Sequence, residues 1–143
     1  MSISIEIGSL ISDRYRIEKY LGEGGMQKVY LSHDNVLGRH VALKTPKVES
    51  ANKRFHRSAV VAAKVNHPNV AKTLDFFEFD KRQFLIEELV NGGNLDDDVL
   101  SKLSCLDPFL VARIFRHLAK GLAASHHAGV IHRDLKPSNV VVE

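Results

Sequence analysis

Cysteine is nearly missing from this sequence. Cys105 is the only one in 143 residues, which excludes an internal disulfide and any cysteine-rich zinc site. Long apolar runs are missing too: nothing approaches the roughly 18 residues that a membrane-spanning helix needs. The opening Met1-Ser-Ile-Ser-Ile-Glu6 has no basic start followed by an apolar stretch, so no secretory signal is expected. Together these absences favour a reducing, cytoplasmic setting. Charge of one sign is also lacking. The net charge is +3, with Lys and Arg dispersed among Asp and Glu. The densest basic stretch, Lys53-Arg54-Phe55-His56-Arg57, falls on an expected helix and reads as a solvated face, so no nucleic-acid partner is expected. The 8 histidines include no pair at zinc-protease spacing, and His126-His127 alone does not make a metal site. Repeats and low-complexity tracts are absent. What remains, 44% hydrophobic and 26% charged residues, is the composition of one ordinary globular domain.

The chain changes character near residue 92. Before it, short β-rich runs alternate with turn residues: Tyr15 to Leu21, a glycine cluster, Val29-Tyr30-Leu31, the turn-like Asp34-Asn35, then His40 to Lys44 stopped by Pro46. From Ala51 to about Val65 the period becomes helical, with Phe55, Ala59, Ala62 and Ala63 on one face. His67-Pro68-Asn69 ends that helix, because the residue before proline disfavours helical geometry. Strand candidates Val70 to Phe79 and Gln83 to Leu89 meet at Asp80-Lys81-Arg82. Beyond Asn91-Gly92-Gly93 comes a short amphipathic piece, Leu95 to Leu103. Asp107-Pro108 then has the cap and first-turn signature of a long helix reaching His127 and stopped by Ala128-Gly129. Val130-Ile131 and Val140-Val141-Val142 flank a polar loop.

Three stretches carry chemistry. Leu21-Gly-Glu-Gly-Gly-Met-Gln-Lys-Val29 lies between two strands, where glycines let a hairpin backbone approach a polyphosphate. A plain turn would look similar; a Rossmann loop would lead into a helix and a Walker loop would end in Gly-Lys-Ser/Thr, and neither follows. Val41-Ala42-Leu43-Lys44 sets a cation near the end of an apolar strand, a placement that by itself means only an exposed lysine. His132-Arg-Asp-Leu-Lys-Pro-Ser-Asn139 packs a carboxylate, a cation and an amide between apolar runs, and by itself is a polar turn.

In this order, with His-Pro-Asn after the first helix and Gly-Gly after the last strand, these motifs resemble the protein kinase superfamily over roughly residues 15–143. Lys136 two residues after Asp134 looks like the Ser/Thr rather than the Tyr branch, and the wording is similar to bacterial members. The resemblance implies an α+β, protein-kinase-like fold. Residues 1–14 would be an N-terminal extension. Residues 15–90 would be an N-terminal lobe with a five-stranded antiparallel sheet and one helix, and 91–143 a partial helical C-terminal lobe ending after the catalytic loop. It implies transfer of the γ-phosphoryl of ATP to Ser/Thr hydroxyls of a protein substrate, with ATP and Mg²⁺ as cofactors. The implied ATP-binding set is Leu21, Gly22, Glu23, Gly24, Gly25, Met26, Val29, Ala42, Lys44, Glu88 and Val90. Gly22, Gly24 and Gly25 would cover the phosphates and Lys44 would meet the α- and β-phosphates. Glu88 and Val90 would bond the adenine edge through their backbone, with Val29 and Ala42 on the ring. Asp134 would orient or accept the hydroxyl proton, Lys136 would neutralise the γ-phosphate, Asn139 would hold one Mg²⁺, and Arg133 would await an anion on the activation segment.

Four departures from the pattern stand out. Gln27 replaces the third glycine, and a side chain held at positive φ there would cost roughly 1 kcal/mol. Ser58 stands where the family's helix glutamate would pair with Lys44. Glu87 counts to the position before the hinge where an apolar residue is common, a one-residue shift in register exchanging it with Glu88; a buried carboxylate needs a partner, and Lys44 is the expected one. Finally, the sequence ends at Glu143, before an Asp-Phe-Gly, so this stretch alone is expected to show little or no transferase activity. It is also expected to self-associate through uncovered apolar surface, with Val140-Val141-Val142 as an open strand edge. Two other readings remain: a pseudokinase-like module that binds without catalysis, favoured by Ser58 and Gln27, and a small-molecule phosphotransferase, whose relatives carry a different catalytic loop.

Overall fold

Alternating apolar and polar residues from Tyr15 to Pro46 fold as an antiparallel meander, one face buried and one partly open. In the computed structural model, which describes residues 5–143, the chain divides into two units. One comprises the residues up to Ala63 together with Lys72–Leu89; the other comprises Lys64–Ala71 and Val90–Glu143.

The first unit is a sheet with one helix. Its strands are β1 (Leu10–Ile11), β2 (Tyr15–Gly24), β3 (Gln27–Asp34), β4 (Arg39–Pro46), β5 (Thr73–Phe79) and β6 (Arg82–Glu88), in the order β1-β2-β3-β4-β6-β5. Each neighbouring pair is antiparallel. The sheet thus has six strands where the sequence led us to expect five. The extra strand, β1, is two residues long and returns onto Tyr15 and Arg16 through Ser12 and Asp13, both at left-handed φ (52° and 54°). That is the backbone of a mirror-image hairpin turn. Ile11, 2% exposed, is what holds it to the core.

Period-two alternation separates the two faces of the sheet. Ile11, Tyr15, Ile17, Tyr30, Val41, Leu43, Phe84 and Ile86 form the main core on one face. On the other, helix α1 (Asn52–Ala62) packs Phe55 and Ala59 against Leu85, with Phe76 alongside. The buried charge of this unit is paired, whereas among the described residues the buried Thr73 Oγ1 and Gln83 Oε1 have no hydrogen-bond partner. Asp34, 1% exposed, accepts both ends of a fork from Arg14, at 2.9 Å and 2.8 Å, and also caps the N–H groups of Val36 and Leu37. The guanidinium holds the Asp34 carboxyl down, to about 2. Burial pushes the Tyr15 hydroxyl up to about 12, so it stays protonated and donates to Asp75 at 3.3 Å.

In the second unit, α2 (Pro108–His127) begins as its sequence signature dictates: Oδ1 of Asp107 accepts from the N–H of Phe109 at 2.7 Å, and Pro108 opens the first turn. It ends in a Schellman motif, with Gly129 at φ 78° donating to His126 and Val130 donating to Ser125. Gly121, in mid-helix, leaves room for Asn69 and Val70, the end of the His67-Pro68-Asn69 stretch, to lie against α2. Leu95–Val99 forms a π-turn and Leu100–Lys102 a 3-10 turn, so the expected amphipathic piece is irregular. Strand β7 (Gly93–Asn94) pairs with β8 (Val141–Val142). That pairing covers one edge of Val141–Val142. Phe109, Phe115 and Ile131 are exposed at 87%, 66% and 67%.

Candidate functional site

The glycine cluster forms the tip of the β2–β3 hairpin. Gly24 pairs with Gln27, so Gly25 and Met26 make the turn, and Gly25 takes φ 56° as such a tight reversal requires. A Cβ added at Gly22, Gly24 or Gly25 would meet nothing within 4 Å. The space beside this backbone is open, as a cradle for an anion needs. Gln27 does not carry the strain expected of it. It is a regular β3 residue paired with Gly24 on one side and Pro46 on the other, and it is not among the non-glycine residues at positive φ. The tip is moored to the end of β4, where the Lys47 N–H donates to the Met26 carbonyl at 2.8 Å and Nζ of Lys47 stands 3.3 Å from Glu23. Leu21 and Met26 hold apolar side chains at 47% and 48% exposure beside this loop.

Lys44 follows from the meander. It pairs with Val29 on β3 and Leu85 on β6, which puts it on the same face as Val29, Ala42 and Leu85. Its Nζ lies 2.7 Å from Oε2 of Glu87, as the carboxylate's need for a partner led us to expect. Ser58, on α1, is exposed. At the end of β6, Glu88 donates its N–H to the Lys72 carbonyl at 2.8 Å and accepts from the Lys72 N–H at 3.2 Å, while Val90 belongs to the second unit.

The polar loop of the second unit is self-organised. Asn139, in a 3-10 turn after Pro137, donates its amide to the Asp134 carbonyl at 2.8 Å and reaches the carboxylate at 3.3 Å. Lys136 Nζ stands 3.7 Å from the same carboxylate oxygen. Nδ1 of His132 accepts the Asp134 N–H at 3.2 Å. Arg133 takes φ 67°, a left-handed conformation costing a non-glycine residue about 1 kcal/mol or more. His132, Lys136 and Asn139 thus converge on Asp134 in the loop that carries this strain. The Asp134 side chain is 69% exposed and that of Lys136 53%. The loop is fixed from behind, where β8 pairs with β7 and the Leu95 N–H donates to the Val140 carbonyl at 2.8 Å. This close approach explains Gly92-Gly93: a Cβ on Gly92 would fall on the Val142 carbonyl, and one on Gly93 would fall on the Asp98 side chain. Neither contact was legible as more than a turn.

With its nitrogen given to Asp134, the Asn139 amide keeps its oxygen, the atom a hard cation takes. Among the described residues no group of three or more His, Cys, Asp or Glu is placed to hold a metal, so a cation here would lean on Asn139 and on a ligand's own oxygens. No helix among the described residues is long and apolar enough to cross a membrane.

Comparison with known proteins agrees with this geometry. The family described as protein kinase domain matches residues 15–143. The serine/threonine-protein kinase PrkC of Bacillus subtilis is 34% identical over 142 residues, covering 96% of this chain and 22% of its own. The serine/threonine-protein kinase pkn3 of Myxococcus xanthus is 39% identical, covering 96% of this chain and 26% of its own. The crystal structure of the PknI kinase domain of Mycobacterium tuberculosis superposes with a TM-score of 0.77 at 27% identity, over 96% of this chain and 58% of that one. This chain therefore spans about a quarter of the length of these curated relatives.

Proposed function

The chain belongs to the protein kinase domain family, and on that premise we propose that it is the ATP-binding part of a Ser/Thr protein kinase. The observation that carries this reading is the loop around Asp134: an exposed carboxylate anchored by Asn139 and flanked by Lys136. In the reaction, a substrate hydroxyl oxygen attacks the γ-phosphorus, the bond to the β-bridging oxygen breaks, and ADP leaves. Asp134 orients the hydroxyl and accepts its proton. Lys136 faces the charge that builds on the γ-phosphoryl group. Asn139 would hold one Mg²⁺, which when bound neutralises phosphate charge. Gly22, Gly24 and Gly25 give the phosphates their backbone N–H groups, and Lys44 meets the α- and β-phosphates. The exposed Leu21 and Met26, with Val29 and Ala42, supply the apolar bed for adenine, and Glu88 and Val90 its hydrogen bonds.

Titrating the 143-residue chain with a fluorescent ATP analogue tests the reading. Saturable binding, tightened by Mg²⁺ and weakened tenfold or more (about 1.4 kcal/mol) by Lys44→Ala, is the expected result. A folded chain that does not bind, or binds equally well without Lys44, would overturn it. A second reading, binding without transfer, is favoured by the exposed Ser58 in place of a helix glutamate. Phosphoryl transfer to a protein substrate that Asp134→Asn abolishes would exclude it.

A further inference from the structure

Lys44 has a carboxylate partner, and the sheet itself supplies it. Nζ of Lys44 and Oε2 of Glu87 are 2.7 Å apart, with the two side chains only 23% and 14% exposed. Strands β4 and β6 are joined at four successive pairs: Val41 with Glu88, Ala42 with Glu87, Leu43 with Ile86, and Lys44 with Leu85. Glu87 is therefore the diagonal neighbour of Lys44 on one face, a separation that a long side chain spans. The register is locked from the opposite face, where Leu43 and Ile86 are buried at 0% and 1% exposure. A slip of one residue would turn those two outward and separate the ion pair.

Helix α1 packs on the same face as this pair, through Phe55 and Ala59. It offers nothing in exchange. Its eleven residues, NKRFHRSAVVA, include no Asp or Glu, and Ser58 is exposed. A carboxylate carried on a helix reaches a strand lysine only when the helix stands close. One carried on the adjacent strand is in place whenever the sheet is formed.

Resting on the nucleotide-binding reading above, we propose that Glu87 is the positioning residue for Lys44, a counter-ion fixed by strand register that aims the ammonium at the nucleotide's phosphates whatever the stance of α1. Lys44 has three N–H donors, so one can serve Glu87 while the others serve phosphate oxygens. A charged acceptor holds that orientation more firmly than a neutral amide of the same shape.

The test compares ATP and adenosine binding to the wild-type chain, Glu87→Gln and Ser58→Ala by calorimetry, with circular dichroism as the check on folding. Glu87→Gln weakens ATP binding about tenfold and changes adenosine affinity by less than about twofold, because only the phosphates use Lys44. Ser58→Ala changes neither. Equal losses for ATP and adenosine would make Glu87 merely structural and overturn the proposal. Unchanged or tighter ATP binding in Glu87→Gln would overturn it too, the latter by showing that Glu87 competes with phosphate for Lys44. A loss of ATP binding in Ser58→Ala would return the control to the helix. Should the wild-type chain bind neither ligand, the nucleotide-binding reading itself falls. The pair is then read by thermal unfolding of Lys44→Met, Glu87→Gln and the double variant: additive shifts would deny the coupling, and a double variant no worse than either single one would support it.

Discussion

The buried Asp34 and the half-buried Lys44 show what a charge does when its partner lies on a neighbouring strand or at the start of one. The Asp34 carboxylate joins the Arg14 fork to two N–H groups of the turn that follows it, so a neutral amide in its place would leave donors unmatched. Asp34→Asn should cost about 2 kcal/mol in urea unfolding at pH 7. The sign with pH follows from the depressed carboxyl. A folded value of about 2 against the ordinary value of 3.8 means stability that is present above pH 4 and lost as pH falls toward 2. The urea midpoint of the wild-type chain should hold between pH 7 and 5 and fall below pH 4, and that of Asp34→Asn should fall less. Equal acid sensitivity in both would contradict this assignment. Arg14 and Asp34 sit twenty positions apart, and only the β2–β3 pairing of Tyr15 with Asp34 brings them together.

At the scale of elements, hairpin chemistry decides what could be read in advance. The β5–β6 turn at Asp80 and Lys81 was visible from its residues, and the structure adds that both stand at left-handed φ, 49° and 61°. Aspartate tolerates this; lysine does so at a penalty of about 1 kcal/mol, of which glycine would return part to its greater freedom in the unfolded chain. Lys81→Gly should therefore raise stability by about 0.5 kcal/mol, a shift in Tm of about 2 °C by calorimetry. A lower Tm would mean that the lysine side chain contributes contacts that outweigh its backbone strain. The same kind of turn at Ser12 and Asp13 went unread, because Leu10–Ile11 is too short to show a period and neither turn residue is glycine. The long helix was legible to within a residue at both ends: Asp107-Pro108 and Ala128-Gly129 are local signals whose hydrogen bonds close within one turn. Gly92-Gly93 was legible only as a turn, since Gly92 makes way for the Val142 carbonyl, about fifty residues on, and Gly93 for the Asp98 side chain.

On the scale of the whole molecule, the order of motifs along the chain pointed to the family before any geometry was known, and the family match over residues 15–143 agrees. Sequence could place Gly22, Lys44 and Asp134 in order. It could not show that the Gln27 backbone is unstrained, or that strand register seats Glu87 beside Lys44. The first needs the closing pair of a hairpin, the second the pairing of strands some forty residues apart. The central claim is that Lys44 faces the phosphates of a bound nucleotide, and one measurement tests it most directly. An acyl-phosphate derivative of ATP carries its reactive carbonyl where the phosphates lie, and it acylates an amine held there. Peptide mapping by mass spectrometry after brief exposure should find Lys44 modified, with labelling suppressed by excess ATP. Labelling spread over the surface lysines and indifferent to ATP would contradict the account.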